Sequence, residues 1–432
     1  MKVLDWIDFG DSTKAYQYAV ILRQSAAIFT GILLAQAGFA VKDIGGYEYI
    51  FFYLSSISLF WLTGISSFYT ARFHAINEIH LTKYLTQLIV LLSTALSLII
   101  IVLYSFNLIS FLQNSLITYF LVLLLLYIPS MFLDQILLVQ KQAFRQFVYS
   151  SVFFVLQILA VSILWIGKFS FEYIYWIVCS ISGLKFILLV YESKAYAMDG
   201  QLISFVKRIF PPLLPFLGYF LVSGFASISD GWIIKFRWHD DGMYAVYKYG
   251  ARDLPIIGTL AIGLGTALLP NVSQNISLAM VQIKHRSARL MHFVYPIMIV
   301  MVAFSDRIFP FIFNVQFKET GLIFGIYAFV IGARFLYPQT LLSGLGYNKF
   351  LFYNSIVELA INIVVSLYLS QYIGLAGIAV GTVVAFYYDK LSAAYYLMKV
   401  KHINIADYTP LRIYLFYNTL LALIFVISHL NL

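Results

Sequence analysis

Residues 240–274 read DDGMYAVYKYGARDLPIIGTLAIGLGTALLPNVSQ. The stretch opens on two aspartates and a glycine and brings Lys248, Arg252 and Asp253 within six positions. It then continues as a mostly apolar segment. An ionised group at the centre of a membrane helix costs about 2.5–3.5 kcal/mol, so charges this far in imply a partner, a cavity or an interface. The first five residues share the pattern Asp-x-Gly-x-Tyr with DIGGY at 43–47. Each copy joins the first two spans of a block of six. The blocks, about 1–205 and 206–400, therefore read as two lobes of one orientation, parallel repeats about an axis along the membrane normal.

Composition makes the membrane reading firm. The chain has 432 residues, of which 62% are hydrophobic and only 11% charged, with a mean hydropathy of +0.87. A soluble domain carries about 25% charged residues. Apolar runs of about 20 residues, enough to cross a hydrocarbon core of about 30 Å, recur from end to end. Spans are expected at 13–41, 47–72, 84–112, 115–138, 147–166, 171–193, 211–236, 244–275, 289–313, 319–343, 349–372 and 374–398, with a thirteenth at 410–430. The fold class is thus an all-α polytopic membrane protein. Two six-helix lobes, 1–205 and 206–400, surround a central cavity, and residues 401–432 add a C-terminal helix. Pro211, Pro212 and Pro215 fall in the expected first turns of the seventh span, where a missing N–H costs little.

Charge sets the orientation. With the N-terminus in the cytoplasm, inside segments such as those of Lys141, Arg145, Lys207, Arg208, Lys284, Arg286 and Arg289 hold about three basic residues for each one outside. The net charge of +9 is therefore an orientation signal, and nucleic acid is not a partner. The N-terminal MKVLDWIDFGDSTK has three aspartates and no apolar core, so it is not expected to be a cleaved signal. The single Cys179 lies in an apolar segment, which leaves no disulfide framework. The seven histidines show no ligand spacing, so no metal site is expected. There is no phosphate-binding GxxxxGK[ST] and no nucleophile–base constellation, so the chain reads as a non-enzyme without direct ATP drive. Coupling to a proton or sodium gradient stays open.

Several longer stretches resemble a known group. DIGGYEYIFFY after the first span, SISDGWIIKF with the 240–274 segment, and YNSIVELAINIVVSLYLSQYIGLAGIAVGTVVAF are similar to the multidrug/oligosaccharidyl-lipid/polysaccharide (MOP) exporter superfamily, in its polysaccharide-transporter, O-antigen-type branch. That resemblance implies a flippase for undecaprenyl-pyrophosphate oligosaccharides in the bacterial inner membrane, a membrane-lipid setting, and glycosyltransferases or a polysaccharide polymerase as partners. It also implies cavity cations on spans one, two and eight. Arg23 and Arg252 match, Arg72 loosely, and the thirteenth span departs from the usual twelve.

The residues themselves suggest how the buried charges pair. At about 1.5 Å per residue, Asp230 shares a level with Lys248 and Arg252 across the expected hairpin of spans seven and eight. Arg334 and Glu358 share one across spans ten and eleven. Two ion pairs are predicted, Asp230 with Lys248 or Arg252, and Arg334 with Glu358, with Asp253 supporting the first. Arg23 has no acid on its own span and shares a face with Ala27 and Thr30, leaving room for a ligand. Guanidinium donors suit a pyrophosphate. Lys185 reads as a snorkelling lysine and Asp134 as reaching the cytoplasmic face. Trp232, Tyr244, Tyr247 and Tyr249 at the outer mouth are candidates for stacking on sugars. The alternatives are an ion-coupled multidrug exporter of the same fold, a lipid II flippase, and a non-transporting scaffold.

Overall fold

The apolar runs fold as helices because a chain in hydrocarbon must satisfy each backbone N–H and C=O internally. The computed structural model describes residues 12–73, 80–108, 116–195, 201–251 and 274–429, together with Ala261, Leu264, Gly265, Leu268 and Val272. Among these, every regular element is helical. Among the described residues, nine helical runs are long and apolar enough to span a membrane, and a bent pair, Glu319–Arg334 with Pro338–Gly344, makes a tenth if it is one span. The chain divides into two compact units, one of Met1–Phe39 with Gly46–Phe225, the other of Ala40–Gly45 with Ala226–Leu432.

The first unit contains α1 (Ser12–Gln36), most of α2 (Val41–Arg72), α3 (Leu81–Ser105), α4 (Ile117–Ser130), α5 (Leu133–Val139), α6 (Ala143–Ile166) and α7 (Tyr173–Ser193). α1 packs mainly on α6, and α4 on α7. The expected span 115–138 is one run, Ile117–Val139, in which α4, with Pro129 in its last turn, and α5 are separated only by the turn at Met131 and Phe132. α8 (Leu202–Trp238) begins well before the proline trio, so the prolines lie inside the helix rather than at its start. The lead-in is held by burial of Phe205 and Ile209, with the Phe205 ring 4.7 Å from that of Tyr84.

The second unit adds α9 (Asp241–Gly250), α10 (Ile276–Ala303), α11 (Ser305–Ile312), α12 (Glu319–Tyr327), α13 (Val330–Arg334), α14 (Pro338–Gly344), α15 (Asn348–Ile373), α16 (Leu375–Lys401), α17 (Ile405–Tyr408) and α18 (Leu411–His429). Asp240 caps α9 by accepting from Gly242 N at 2.8 Å. Asn275 caps α10 by accepting from Leu278 N at 3.1 Å. That cap starts α10 at Ile276, so Lys284 and Arg286, expected between spans, sit on the same helix as Arg289. Its buried face repeats at Ala279, Ile283, Ser287 and Met291. Expected span 289–313 thus becomes the end of α10 and a separate α11. Expected span 319–343 becomes α12, α13 and α14, with Pro338 restarting the helix at its first position.

The repeated Asp-x-Gly-x-Tyr motif has a packing reason. A Cβ on Gly45 would collide with the Asp241 carbonyl, and one on Gly242 would press on Val41 at 3.2 Å. The two copies therefore meet backbone to backbone, which only glycine permits at Gly45. Close approach recurs where Gly377 and Gly381 of α16 lie against Leu369, Ser370 and Ser366 of α15. α18, the extra helix, packs on α10. Tyr417 stacks on Tyr295 at 5.0 Å and hydrogen-bonds His292 at 2.9 Å. At its far end His429 meets Ser305 at 3.0 Å and Asp306 at 3.6 Å.

Candidate anion recess and the buried charges

α1, α5, α6 and α7 together enclose a recess in the first unit, with about 370 Å³ of empty space including the part open to the outside. Its charged lining residues are Arg23, Asp134 and Lys185; the rest include Ala19, Ala26, Tyr149, Phe153 and Gln157. Arg23 Nη1 donates to Asp134 Oδ2 at 2.5 Å. The acid is nearly covered, at 11% side-chain exposure, while the arginine keeps 37%. Asp134 reaches the recess from the first turn of α5. Gln146 Nε2 donates to the Asp134 main-chain oxygen at 3.2 Å and holds that turn. Lys185 lies over the Phe153 ring at 5.1 Å and within electrostatic range of both Asp134 and Arg23. Two cations against one acid leave the recess one net positive charge.

The expectations for these residues change accordingly. Arg23 has an acid partner, supplied by another helix and not its own. Asp134 is buried beside Arg23, five residues from the end of α5. Lys185 turns to the same recess. Small neighbours are Ala19 and Ala26 rather than Ala27, and Thr30 is engaged by Gln157 Nε2 at 2.9 Å. The signal was present in the register. Arg23, Asp134 and Lys185 lie eleven, five and eight residues from the helix ends expected in the cytoplasm, within about two turns of one depth.

In the second unit, Asp230 is bound by neutral groups. Its Oδ2 accepts from Tyr247 OH at 2.6 Å and Thr382 Oγ1 at 2.8 Å, with Asn362 and Ser229 also alongside. These hydroxyls take the role expected of Lys248, which lies over the Tyr244 ring at 5.4 Å. Arg252, Asp253 and the Arg72 side chain lie outside the described residues. Glu358 has Asp389 and Lys390 as its charged neighbours, in place of the expected Arg334, which lies over the Phe386 ring at 5.8 Å. The reason is register. α15 packs along the length of α16, so its acid faces that helix and not the broken α13–α14. Asp389 is further bound by Asn354 Nδ2 at 2.7 Å and by Gln339, which in turn accepts from Lys390.

The four aromatic candidates are committed within the fold. Tyr244, Tyr247 and Tyr249 are buried. Tyr249 stacks on Phe313 at 4.7 Å and 15°, Tyr247 serves Asp230, and Trp232 stacks on Phe236 at 5.6 Å.

No family model matches the chain, and no curated protein matches it in sequence. Solved structures do. The lipid II flippase MurJ in an inward closed conformation superposes with a TM-score of 0.69 at 16% identity, over 97% of each chain. A MOP superfamily transporter from Pyrococcus furiosus, described by the reverse polarity of its binding pocket, gives 0.57 at 14% identity, over 91% of this chain and 96% of the other. The Vibrio cholerae MATE transporter VcmN in its bent form gives 0.56 at 11% identity, over 96% and 97%. With its spanning helices, its composition and this likeness along nearly its whole length, the chain is a multi-pass membrane protein with the fold of the MOP superfamily transporters.

Proposed function

We propose that the protein is a flippase carrying a lipid-linked oligosaccharide of the undecaprenyl-pyrophosphate type across the bacterial cytoplasmic membrane, by alternating access, for cell-surface polysaccharide synthesis. One observation carries this reading. Arg23 and Lys185 share a partly open recess with a single carboxylate, Asp134. A pyrophosphate diester brings two negative charges and several acceptor oxygens, and a guanidinium offers paired planar donors to them. The fold likeness to a lipid II flippase supports a lipid-linked cargo. The sequence resemblance to the polysaccharide branch favours an oligosaccharide over lipid II itself.

On this reading the N-terminus is cytoplasmic, and the two lobes are residues 1–205 and 206–400, with 401–432 as an added helix. The head group enters at Arg23 and Lys185 while the isoprenoid stays in lipid. It leaves past Lys248 and Arg252, which the sequence puts in the outer half. Asp230, a buried carboxylate ringed by hydroxyl and amide groups, is where a proton or sodium ion couples transport to a gradient, since oxygen donors suit both. Glycosyltransferases or a polymerase act on either side of the step.

The test is export in cells that depend on this protein for surface polysaccharide. Arg23→Gln and Lys185→Gln should each block export with the protein still folded in the membrane, and lipid-linked oligosaccharide should accumulate. Normal export from both variants overturns the reading. Asp134 favours one second reading, an ion-coupled exporter of organic cations, because such cargo needs a buried carboxylate. Extrusion of a cationic dye that survives Arg23→Gln and fails in Asp134→Asn would establish it.

A further inference from the structure

A recess built for an anion already contains one. Asp134 Oδ2 sits at 2.5 Å from Arg23 Nη1, on the group that would receive a phosphate oxygen. We propose that Asp134 is a resident counter-ion which the incoming head group displaces from Arg23. It thereby sets which phosphates the recess admits: multiply charged phosphate chains enter, and the singly charged phosphodiesters of the surrounding membrane lipids do not. This inference rests on the reading of the recess as the head-group site.

The geometry makes displacement selective. The Asp134 main chain is fixed through its carbonyl by Gln146, a bond that does not involve the carboxylate. The side chain can therefore swing while its turn stays in place. The carboxylate is tethered, so it competes at a high effective concentration that a free monoanion must overcome. A monoanion only exchanges one negative charge for another at Arg23 and takes Asp134 from its 2.5 Å partner, with no second contact to offset that loss. A pyrophosphate engages Arg23 and Lys185 together, two charges for two cations. Asp134 then keeps Lys185 within electrostatic range, as in the empty recess. Without Asp134 the empty recess would hold two unbalanced cations and any phosphate would improve it.

The experiment is titration of the purified full-length protein, in a detergent without phosphate, with inorganic pyrophosphate and with dimethyl phosphate. Wild type should bind pyrophosphate and discriminate against dimethyl phosphate. In Asp134→Asn, pyrophosphate should bind more tightly by about tenfold and dimethyl phosphate should become a ligand, so that discrimination narrows. Asp134→Glu, which keeps the charge, should discriminate as wild type does. Unchanged affinity and selectivity in Asp134→Asn, or lost discrimination in a folded Asp134→Glu, overturns the counter-ion role. The recess still stands as the site in that case if Arg23→Gln abolishes pyrophosphate binding. Equal pyrophosphate binding by wild type, Arg23→Gln and Lys185→Gln overturns the site reading, and the counter-ion role with it.

Discussion

Two regions of this molecule bury lysine next to aspartate, and they do so in opposite ways. In the second unit, Lys390 lies 3.7 Å from Asp389, and the gaps around the pair are filled by Gln339, Asn354 and Ser392. Each member has a fixed role in a closed network that ties α14, α15 and α16 together. In the first unit, Lys185 and Arg23 share one acid, and the space beside them is open. Buried charge is favourable only when paired and hydrogen-bonded. The closed network meets that condition by itself. The open recess meets it only in part, and the unused bonding capacity of its cations is what a guest would take up.

Neutralising the two lysines in parallel is the sharpest way to break this contrast. Lys390→Gln should cost about 3 kcal/mol of stability, because it strands Asp389 and Glu358 in an apolar setting. Thermal unfolding in detergent should show the drop, with export per folded molecule retained. Lys185→Gln should leave the unfolding midpoint near that of wild type and weaken pyrophosphate binding by about 2 kcal/mol, near thirtyfold. If Lys185→Gln unfolds the protein and Lys390→Gln only impairs export, the two regions have been assigned the wrong way round. Gly45→Ala sharpens the point that packing outside both regions acts on stability alone. Its methyl group meets the Asp241 backbone, so about 1–3 kcal/mol should be lost, with pyrophosphate affinity unchanged by titration. The smallest effect is expected from His429→Ala, which removes the contact to Ser305. About 1 kcal/mol should go, seen as faster proteolysis at the end of α18, with export intact.

Much of this architecture was legible in the chain. Apolar runs of membrane length became helices, and Leu411–His429 confirms an apolar helix after the twelfth expected span. Breaks were less legible. Pro129 marked the turn between α4 and α5, yet nothing in the run 289–313 announced that α10 would stop at Ala303. Caps moved other boundaries, since Asn275 starts α10 well before the apolar run it leads into. Depth counting found that Asp230 belongs near residues 244–252, and it does meet that helix, through Tyr247. It could not choose between neighbours one residue apart, because consecutive side chains on a helix point about 100° apart.

The apolar runs of membrane length and the presence of buried charge are readable from the chain alone, since hydrophobic length and the cost of desolvation are local properties. Which charges meet depends instead on packing between segments far apart in the chain. Arg23 and Asp134 are 111 residues apart, and the recess they share with Lys185 exists only once α1, α5, α6 and α7 have packed together. Read singly, the same three side chains look like a cavity cation, a snorkelling lysine and an acid at the cytoplasmic face. Packed together, two cations share one acid, and the recess is left with one net positive charge.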